Sequence, residues 1–166
     1  PNFSYDSPTK SMTVDSPFGE STKRFNCSFY SGSKALAETV VSKFEKSYIC
    51  RLRIPFDEFD SNRNYLTKIQ RYDKVYDAVN SISHRGEFVE ACIDLALNES
   101  PYVIYNITNG GYITTRQVVE LIRKKLKLKK KFDYWKNDAA FYGEIAVAPR
   151  SNCVMDNSKL LGAGIQ

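Results

Sequence analysis

A tyrosine and a lysine four residues apart, Tyr30 and Lys34, are the side chains of this sequence that are best suited to chemistry. If the segment is helical, this spacing places both side chains on one face, one turn apart. The lysine ammonium would then favour the phenolate form of the tyrosine by charge attraction. A phenol that releases and regains a proton at neutral pH suits the interconversion of a carbonyl and an alcohol. Ordinary amphipathic helices also carry such pairs, so the rest of the chain must decide between the two interpretations.

The composition of the chain predicts one folded domain. Its 166 residues are 42% hydrophobic and 13% aromatic, which is enough for a core and argues against disorder. No apolar run reaches the roughly 18 residues that a membrane span needs. The first residues lack the basic start and apolar core of a signal peptide, and the sequence begins at Pro1 without an initiator Met. We therefore expect a cut or processed chain of cytoplasmic location.

The cysteines and the single histidine do not predict a metal site. Cys27, Cys50, Cys92 and Cys153 are widely spaced and form no Cys-x-x-Cys pair. With His84 as the one histidine, neither zinc nor another metal is predicted, and the thiols are expected to be reduced. His84 stands near the start of a predicted helix, where a cap or surface role is favoured over a catalytic role.

Much of the net charge of +5 comes from one basic run at 123–131. A nucleic-acid patch is one interpretation of this run. The other is the solvated C-terminal end of a helix, where cations complement the helix dipole. The second interpretation is favoured, so no nucleic-acid partner is predicted.

Helical and strand patterns alternate along the chain, which predicts an α/β fold. Residues 1–28, rich in Ser, Thr, Pro, Asp and Gly, predict a long surface loop. Ser83 is a candidate cap for the third helix, and Asp156 or Asn157 for a terminal helical turn. The predicted helices cover 29–46, 64–72, 84–97, 115–126 and 139–142. The predicted strands cover 48–54, 102–107 and 132–135, with a short strand or turn at 74–79 and a polar loop at 56–62.

Two arginines, Arg51 and Arg53, share one face of the first predicted strand, which Pro55 ends. They are either a solvent-facing pair on a half-exposed strand or a contact for an anion. The second interpretation follows from their position near the carboxyl end of the strand, where open α/β sheets bind ligands.

Several stretches, taken in order with the Tyr30–Lys34 segment, resemble one enzyme family. The pattern resembles the C-terminal two-thirds of the nucleotide-rhamnose synthase/epimerase-reductases, which belong to the extended short-chain dehydrogenase/reductases and are related to dTDP-4-dehydrorhamnose reductases. The resemblance extends from about Phe3 to Leu161. The stretches that carry it are Ser28-Phe29-Tyr30-Ser31, Arg51-Leu52-Arg53-Ile54-Pro55, residues 63–69, Asn80-Ser81, residues 105–109, and 147–152 with 155–160.

The resemblance implies the C-terminal part of a Rossmann-like fold. Residues 1–55 would supply a loop, the catalytic helix and a strand of the Rossmann-like core, and residues 56–166 mainly the substrate-binding region. The implied reaction uses NADPH or NADH. A nucleotide-linked 4-keto-6-deoxy sugar is epimerised at C3 and C5, and its C4 ketone is then reduced to give the nucleotide-L-rhamnose.

The resemblance also implies roles for individual residues. Tyr30 would donate a proton to the C4 oxygen, and Lys34 would lower the pKa of the tyrosine and hold the nicotinamide ribose. Lys68 would serve as acid and base in epimerisation, the alternative being a solvated helix residue. The implied cofactor contacts are Tyr30, Lys34, Arg53 and Pro55. The implied substrate contacts are Arg53, Asn64, Asn80, Arg150, Ser151 and Asn152, where an arginine suits a diphosphate and a helix-capping role is the alternative for 150–152.

Two parts of the family pattern do not occur in this sequence. The first is the Gly-x-x-Gly-x-x-Gly turn that brings a pyrophosphate to a helix N-terminus. The second comprises the Ser or Thr that partners the tyrosine and the cysteine that partners the epimerase lysine, a position that Cys27 does not match. The segment His84-Arg85-Gly86-Glu87 also differs from the acidic helix start of relatives.

Three hypotheses explain this half of an active site. The chain is a fragment or split subunit of a fuller enzyme, a non-catalytic remnant kept for binding or assembly, or an unrelated α/β binding module. The first is favoured because the residues implied in chemistry occur together. The strand at 48–54 would then have an open edge, and we expect a partner chain, a second copy or a nucleotide-binding half to cover it.

Overall fold

The computed structural model describes residues 11–12, 29–137, 140–141, 144 and 153–165, in which short strands alternate with helices. The helices are α1 (Phe29–Val41), α2 (Tyr65–Arg71), α3 (Arg85–Leu97), α4 (Thr115–Leu126) and α5 (Ser158–Gly162). The strands are β1 (Ser11–Met12), β2 (Ile49–Arg51), β3 (Pro55–Phe56), β4 (Lys74–Val75), β5 (Val79–Asn80), β6 (Ser83–His84), β7 (Ile104–Asn106), β8 (Ile113–Thr114), β9 (Asp133–Tyr134) and β10 (Val154–Met155).

The longest strand pairing is the parallel ladder between β2 and β7, in which Arg51 lies opposite Asn106. Residues 105–107 are buried, as the near-continuous apolar pattern predicts for a parallel strand. Both strands are shorter than their predicted ranges. Within the described residues β2 pairs with β7 and with no other strand, so its second edge is open. The other pairs are β1–β10, β3–β6 and β4–β9, all parallel, and the antiparallel β5–β8.

Two hydrophobic clusters hold these elements together. The first joins α3, β7 and α5, and in it Leu95 and Tyr105 are almost completely buried. The second joins α2 and α4 with β4 and the segment before β9, around Ile69 and Val119. Helices α2, α3, α4 and α5 therefore pack apolar side chains against strands, which is the α/β layer arrangement that the sequence predicts. In the described ranges no helix is both long enough and apolar enough to span a membrane.

Local capping explains where the best-predicted helix begins and ends. The Thr114 hydroxyl accepts from the Gln117 amide at 3.0 Å, and the Gln117 side chain accepts from the Thr114 amide at 2.8 Å. This reciprocal pair is a capping box. Lys127 ends α4 in a left-handed conformation, with φ of 51°. The prediction of a helix at 115–126 is confirmed.

Besides the two shorter strands, three other predicted boundaries or caps are wrong. Helix α1 ends at Val41 rather than Lys46, because a serine takes over the last carbonyls: the Ser47 hydroxyl donates to the carbonyl oxygens of Val41 and Phe44. His84, not Ser83, caps α3, its Nδ1 accepting from the Glu87 amide at 3.4 Å. Ser83 lies in β6 and is unsuited to this role, because its hydroxyl donates to the carbonyl oxygen of Ile107.

The third wrong boundary is that Phe56 belongs to β3 rather than to the polar loop. The prediction for His84 itself, a cap, is confirmed. Asp156 holds the start of α5, its carboxylate accepting from the Ser158 amide at 2.9 Å. Most of the predicted loop at 1–28 lies outside the described residues, as do residues 139 and 142 of the predicted short helix.

Replacing Leu95 by Ala should lower the free energy of unfolding by roughly 2–5 kcal/mol, because it removes a side chain from the centre of the first cluster. The matched control is Leu97→Ala in the same helix, since Leu97 is 75% exposed. That variant should change the free energy by about 0.5 kcal/mol or less. Urea denaturation followed by circular dichroism measures both. Equal losses in the two variants would contradict this placement of the core.

Candidate functional site

The two residues of the Tyr-x-x-x-Lys pattern lie in helix α1, one turn apart along its backbone. Lys34 is exposed, whereas the side chain of Tyr30 lies outside the described part of the structure. The predicted helical setting of the pair is therefore confirmed. The chemical roles of the two residues stay predictions.

Helix α1 is tied to the sheet by a buried ion pair. The guanidinium of Arg51 donates from Nε to one oxygen of Glu38 at 2.8 Å and from Nη2 to the other at 2.7 Å. The side chain of Arg51 is only 6% exposed. The solvent-facing interpretation of this arginine is therefore wrong, because Glu38, 13 residues away, faces it across the helix–sheet contact. Sequence patterns gave no signal for this pair.

The second arginine meets one of the predicted substrate-binding residues. Arg53 donates from Nε and Nη2 to Oδ1 of Asn80, at 3.2 and 2.6 Å. Its backbone amide donates to the Ser83 hydroxyl at 3.0 Å, and Pro55 lies opposite Ser83 in the β3–β6 pair. Three residues that the resemblance implies in binding, Arg53, Pro55 and Asn80, thus come together after the carboxyl end of β2.

The backbone between Arg53 and Pro55 is strained. Ile54 takes a φ of 43°, a left-handed conformation that is costly for a β-branched residue. Such strain persists only where the surrounding structure enforces it, and it is concentrated at functional sites. Here it turns the chain sharply after Arg53, so that Pro55 starts β3 beside β6 rather than continuing β2.

The predicted contacts Arg150, Ser151 and Asn152 lie outside the described residues, and in sequence they immediately precede Cys153. The backbone of Cys153 forms an isolated parallel β-bridge with that of Asn80. The Ser81 amide donates to the Cys153 carbonyl at 2.9 Å. Burial raises the pKa of the Cys153 thiol, while the positive charges of Arg53 and Arg51 act to lower it. Burial outweighs the two cations at this sulfur, so the thiol form is favoured over the thiolate.

Asn64 is almost fully buried and all of its side-chain groups are engaged within the chain. Its Oδ1 caps α2 by accepting from the Leu66 amide at 3.0 Å. Its Nδ2 lies 2.7 Å from both Oδ1 of Asp57 and the Phe59 carbonyl, and 2.8 Å from the Asp57 carbonyl. Asp57, also buried, pairs with Arg85 at 2.8 Å. The Asn before a helical pattern is a cap signal that the sequence carried, whereas Asp57 and Arg85 gave none.

Lys68 is exposed on α2, and its backbone amide donates to the Asn64 carbonyl at 3.0 Å. Within the described residues the Asn80 side chain binds Arg53, and no hydrogen bond joins it to the ammonium of Lys68. The structure thus brings part of the predicted site together at the strand ends. Lys68 lies on a separate helix, α2, whose N-terminus is capped by Asn64.

An open groove of about 690 Å³ lies beside this cluster, and its volume is in the range of small-molecule sites. Leu52, Phe59 and Val89 make it apolar, and Arg63 supplies positive charge, whereas the charge of Arg85 is balanced by Asp57 in the same lining. Among the residues that the structure describes, no three His, Cys, Asp or Glu side chains are grouped to hold a metal ion.

Sequence comparison finds related enzymes, although no family model matches the chain. A bifunctional dTDP-4-dehydrorhamnose 3,5-epimerase/dTDP-4-dehydrorhamnose reductase of Arabidopsis thaliana is 36% identical over 149 residues, which are 85% of this chain and 46% of that protein. A trifunctional UDP-glucose 4,6-dehydratase/UDP-4-keto-6-deoxy-D-glucose 3,5-epimerase/UDP-4-keto-L-rhamnose-reductase of the same plant is 34% identical over 143 residues, 85% of this chain and 21% of that protein.

Structure comparison agrees with the sequence. The UDP-rhamnose synthase L780 of Acanthamoeba polyphaga mimivirus matches with a TM-score of 0.78 and 25% identity, over 97% of this chain and 53% of that one. A dTDP-4-dehydrorhamnose reductase of Bacillus anthracis in complex with NADP has a TM-score of 0.66 at 16% identity, over 82% of this chain and 50% of that one, and shows the fold alone. The α/β, Rossmann-like fold is confirmed, and the chain spans about half the length of these solved structures.

Replacing Asn64 by Ala should lower the free energy of unfolding by roughly 2–4 kcal/mol, because α2 loses its cap and buried oxygens lose their donor. Asn62→Ala is the matched control, since Asn62 is exposed in the same loop and accepts one hydrogen bond from Arg71. Thermal unfolding measures both variants. A stable Asn64→Ala protein would indicate that the side chain is kept for ligand binding rather than for the loop.

Proposed function

Because this chain is homologous to the C-terminal part of the rhamnose-forming epimerase-reductases, we propose that it takes part in making a nucleotide-L-rhamnose. The reaction is the NAD(P)H-dependent epimerisation and reduction of a nucleotide-linked 4-keto-6-deoxy sugar. The observation that carries the proposal is the grouping of Arg53, Pro55 and Asn80 after the carboxyl end of β2. That end of a parallel sheet is where α/β enzymes bind their ligands.

Tyr30 is the proposed acid of the reduction step. Its phenol gives a proton to the ketone oxygen while the cofactor, when bound, supplies hydride to the carbon. The ammonium of Lys34, one helical turn away, stabilises the phenolate that results and prepares it for reprotonation. An exposed lysine at this position is also able to donate to ribose hydroxyls.

The residues of this chain fit only one end of a nicotinamide dinucleotide. Lys34 is exposed to donate to the ribose, and Pro55 adjoins Arg53 at the strand ends. The given sequence contains no Gly-x-x-Gly-x-x-Gly turn to take the pyrophosphate. Cofactor binding by this chain therefore requires a second polypeptide segment that supplies the turn.

Lys68 is the proposed acid and base of epimerisation. The ketone acidifies the neighbouring C–H bonds, and a positioned amine accepts and returns the proton. Asn64 fixes the first turn of α2 and so sets where Lys68 stands. The cations Arg53 and Arg150 are proposed to bind the diphosphate, with Asn80 orienting the first of them; Ser151 and Asn152 are proposed to contact the sugar nucleotide.

The partner in this proposal is a nucleotide-binding half that covers the open edge of β2. Apolar side chains remain exposed on both helices that flank this strand, Leu36 and Val40 on α1 and Ile93 and Leu97 on α3. Parallel sheets are normally covered on both faces, and two strands alone are marginal in water. A half that adds strands to β2 and packs on both helices would bury these side chains.

Tyr30→Phe should lower turnover about 10²–10⁴-fold in the reconstituted enzyme, because the variant keeps the ring and removes the proton donor. Tyr72→Phe on the exposed end of α2 is the matched control and should leave turnover unchanged. The assay follows NADPH oxidation with a UDP- or dTDP-4-keto-6-deoxy sugar. Full activity of Tyr30→Phe would refute the role of the tyrosine.

Lys68→Met should separate the two steps. Solvent deuterium incorporation at C3 and C5, read by mass spectrometry in D₂O, should be lost without any loss of NADPH binding. Incorporation at the unmodified rate would refute the role of Lys68 as acid and base.

The partner proposal predicts that NADPH quenches Trp135 fluorescence only after a Gly-rich nucleotide-binding half is added. Leu36→Asp on α1 should weaken the association of the two halves at least tenfold, because it buries a charge in the interface. Leu126→Asp on α4 is the matched control, as Leu126 is similarly exposed on a helix away from β2. If no nucleotide or sugar nucleotide binds in any combination, the chain is a binding or assembly module instead.

A further inference from the structure

The ion pair between Glu38 and Arg51 joins the helix that carries Tyr30 to the strand that ends at the site. It is bidentate, with both guanidinium–carboxylate distances below 3 Å, and its side chains are 6% and 19% exposed. A fork of two parallel hydrogen bonds fixes orientation as well as distance. A single cation–anion contact would leave the helix free to rotate about its axis.

Little apolar packing holds α1 in the described part of the molecule. Leu36 is 65% exposed, Val40 50% and Val41 37%. Helix positions are normally set by the burial of an apolar face, which α1 offers only in part. Among the described residues, Glu38–Arg51 is the ion pair that connects α1 to the sheet.

The strand side of this pair is rigid. Arg51 lies opposite Asn106 in the parallel ladder, and its carbonyl accepts from the Ile107 amide at 2.8 Å. The backbone of Arg51 is thus fixed by the strand pairing, independently of the contact between its side chain and Glu38. The ion pair therefore fixes the position of α1 relative to the β2–β7 ladder.

The position of Glu38 on the helix links the pair to the proposed chemistry. Glu38 follows Lys34 by four residues and Tyr30 by eight, so all three positions fall within about 80° of one face. The chain returns from Val41 to Ile49 through a short connection, so α1 runs opposite to β2. Positions 34 and 30 therefore extend about 6 and 12 Å past the level of Arg51, beyond the carboxyl end of the strand.

A buried ion pair adds little net stability over an apolar contact, because both charges lose their water. Breaking it by removing one charge is costly, since the other stays buried and unpaired. Such a pair therefore selects one arrangement over others rather than strengthening the fold as a whole.

We propose that Glu38 and Arg51 are positioning residues. They set the rotation of α1 about its axis and its shift along β2, and so place Tyr30 and Lys34 over the end of that strand. The importance of that placement for catalysis rests on the proposed function. The placement of the helix by the pair does not.

Hydrogen–deuterium exchange of the full 166-residue chain tests this directly. Glu38→Gln keeps the shape of the side chain and removes its charge, and it should accelerate amide exchange in α1 about tenfold while leaving α4 unchanged. Glu90→Gln, which removes the same charge from an exposed position of α3, is the matched control and should alter neither helix. Arg51→Lys keeps the charge without the fork and should retain part of the α1 protection that Arg51→Ala loses.

Two results would overturn the proposal: unchanged exchange of α1 in Glu38→Gln, or equal acceleration in α1 and α4, which would make the pair a general stabiliser. In the reconstituted enzyme, Glu38→Gln should lower kcat at nearly constant KM, with Arg51→Lys above Arg51→Ala. If the unmodified protein gives no turnover, the proposed function fails, while the exchange experiment still decides the role of the pair.

Discussion

The parallel pairing of β2 with β7 is the constraint on which the rest of the site depends. It fixes Arg51 opposite Asn106, and the strained turn at Ile54 then carries the chain from Arg53 to Pro55 and into a second pair with β6. Because the carboxyl ends of both strands lie at the same edge, the polar residues that follow them converge there. A slip of the ladder by one residue would turn each side chain to the opposite face and separate these groups.

Three arginines around this edge have specific partners. Glu38 binds Arg51, Asn80 binds Arg53, and Asp57 binds Arg85. Desolvated cations require such partners, because an unpaired buried charge is far more costly than a paired one. The carboxylates neutralise Arg51 and Arg85, whereas the amide of Asn80 orients Arg53 without cancelling its charge. Arg53 thus differs from Arg51 and Arg85 in having an amide oxygen among its side-chain partners.

The helices beside β2 carry exposed apolar side chains. Leu36 and Val40 on one side and Ile93 and Leu97 on the other are exposed, and the chain spans about half of the solved structures that it matches. A parallel sheet derives its stability from helices on both faces and from neighbouring strands. The proposed nucleotide-binding half would account for both features, because it would add strands to β2 and supply the phosphate-binding turn.

The sequence by itself determined the elements whose signals are local. Helix α4 was predicted at 115–126 because its apolar period and its basic last turn both lie within the helix. Helix α3 was predicted for the same reason, although its cap is His84 rather than Ser83, and the ordered motifs indicated the enzymes that the sequence comparison also finds. Local patterns of this kind need no knowledge of distant contacts.

Only the tertiary structure decided which polar residues pair. Nothing in the spacing of Glu38 and Arg51 indicates their contact, and both arginines of the first strand were equally compatible with a solvent-facing role. The early end of α1 and the use of Ser83 in β6 likewise depend on partners elsewhere in the chain. The physical reason is that burial makes a polar group take whichever partner the fold brings near it, and long-range pairing, not local sequence, sets that choice.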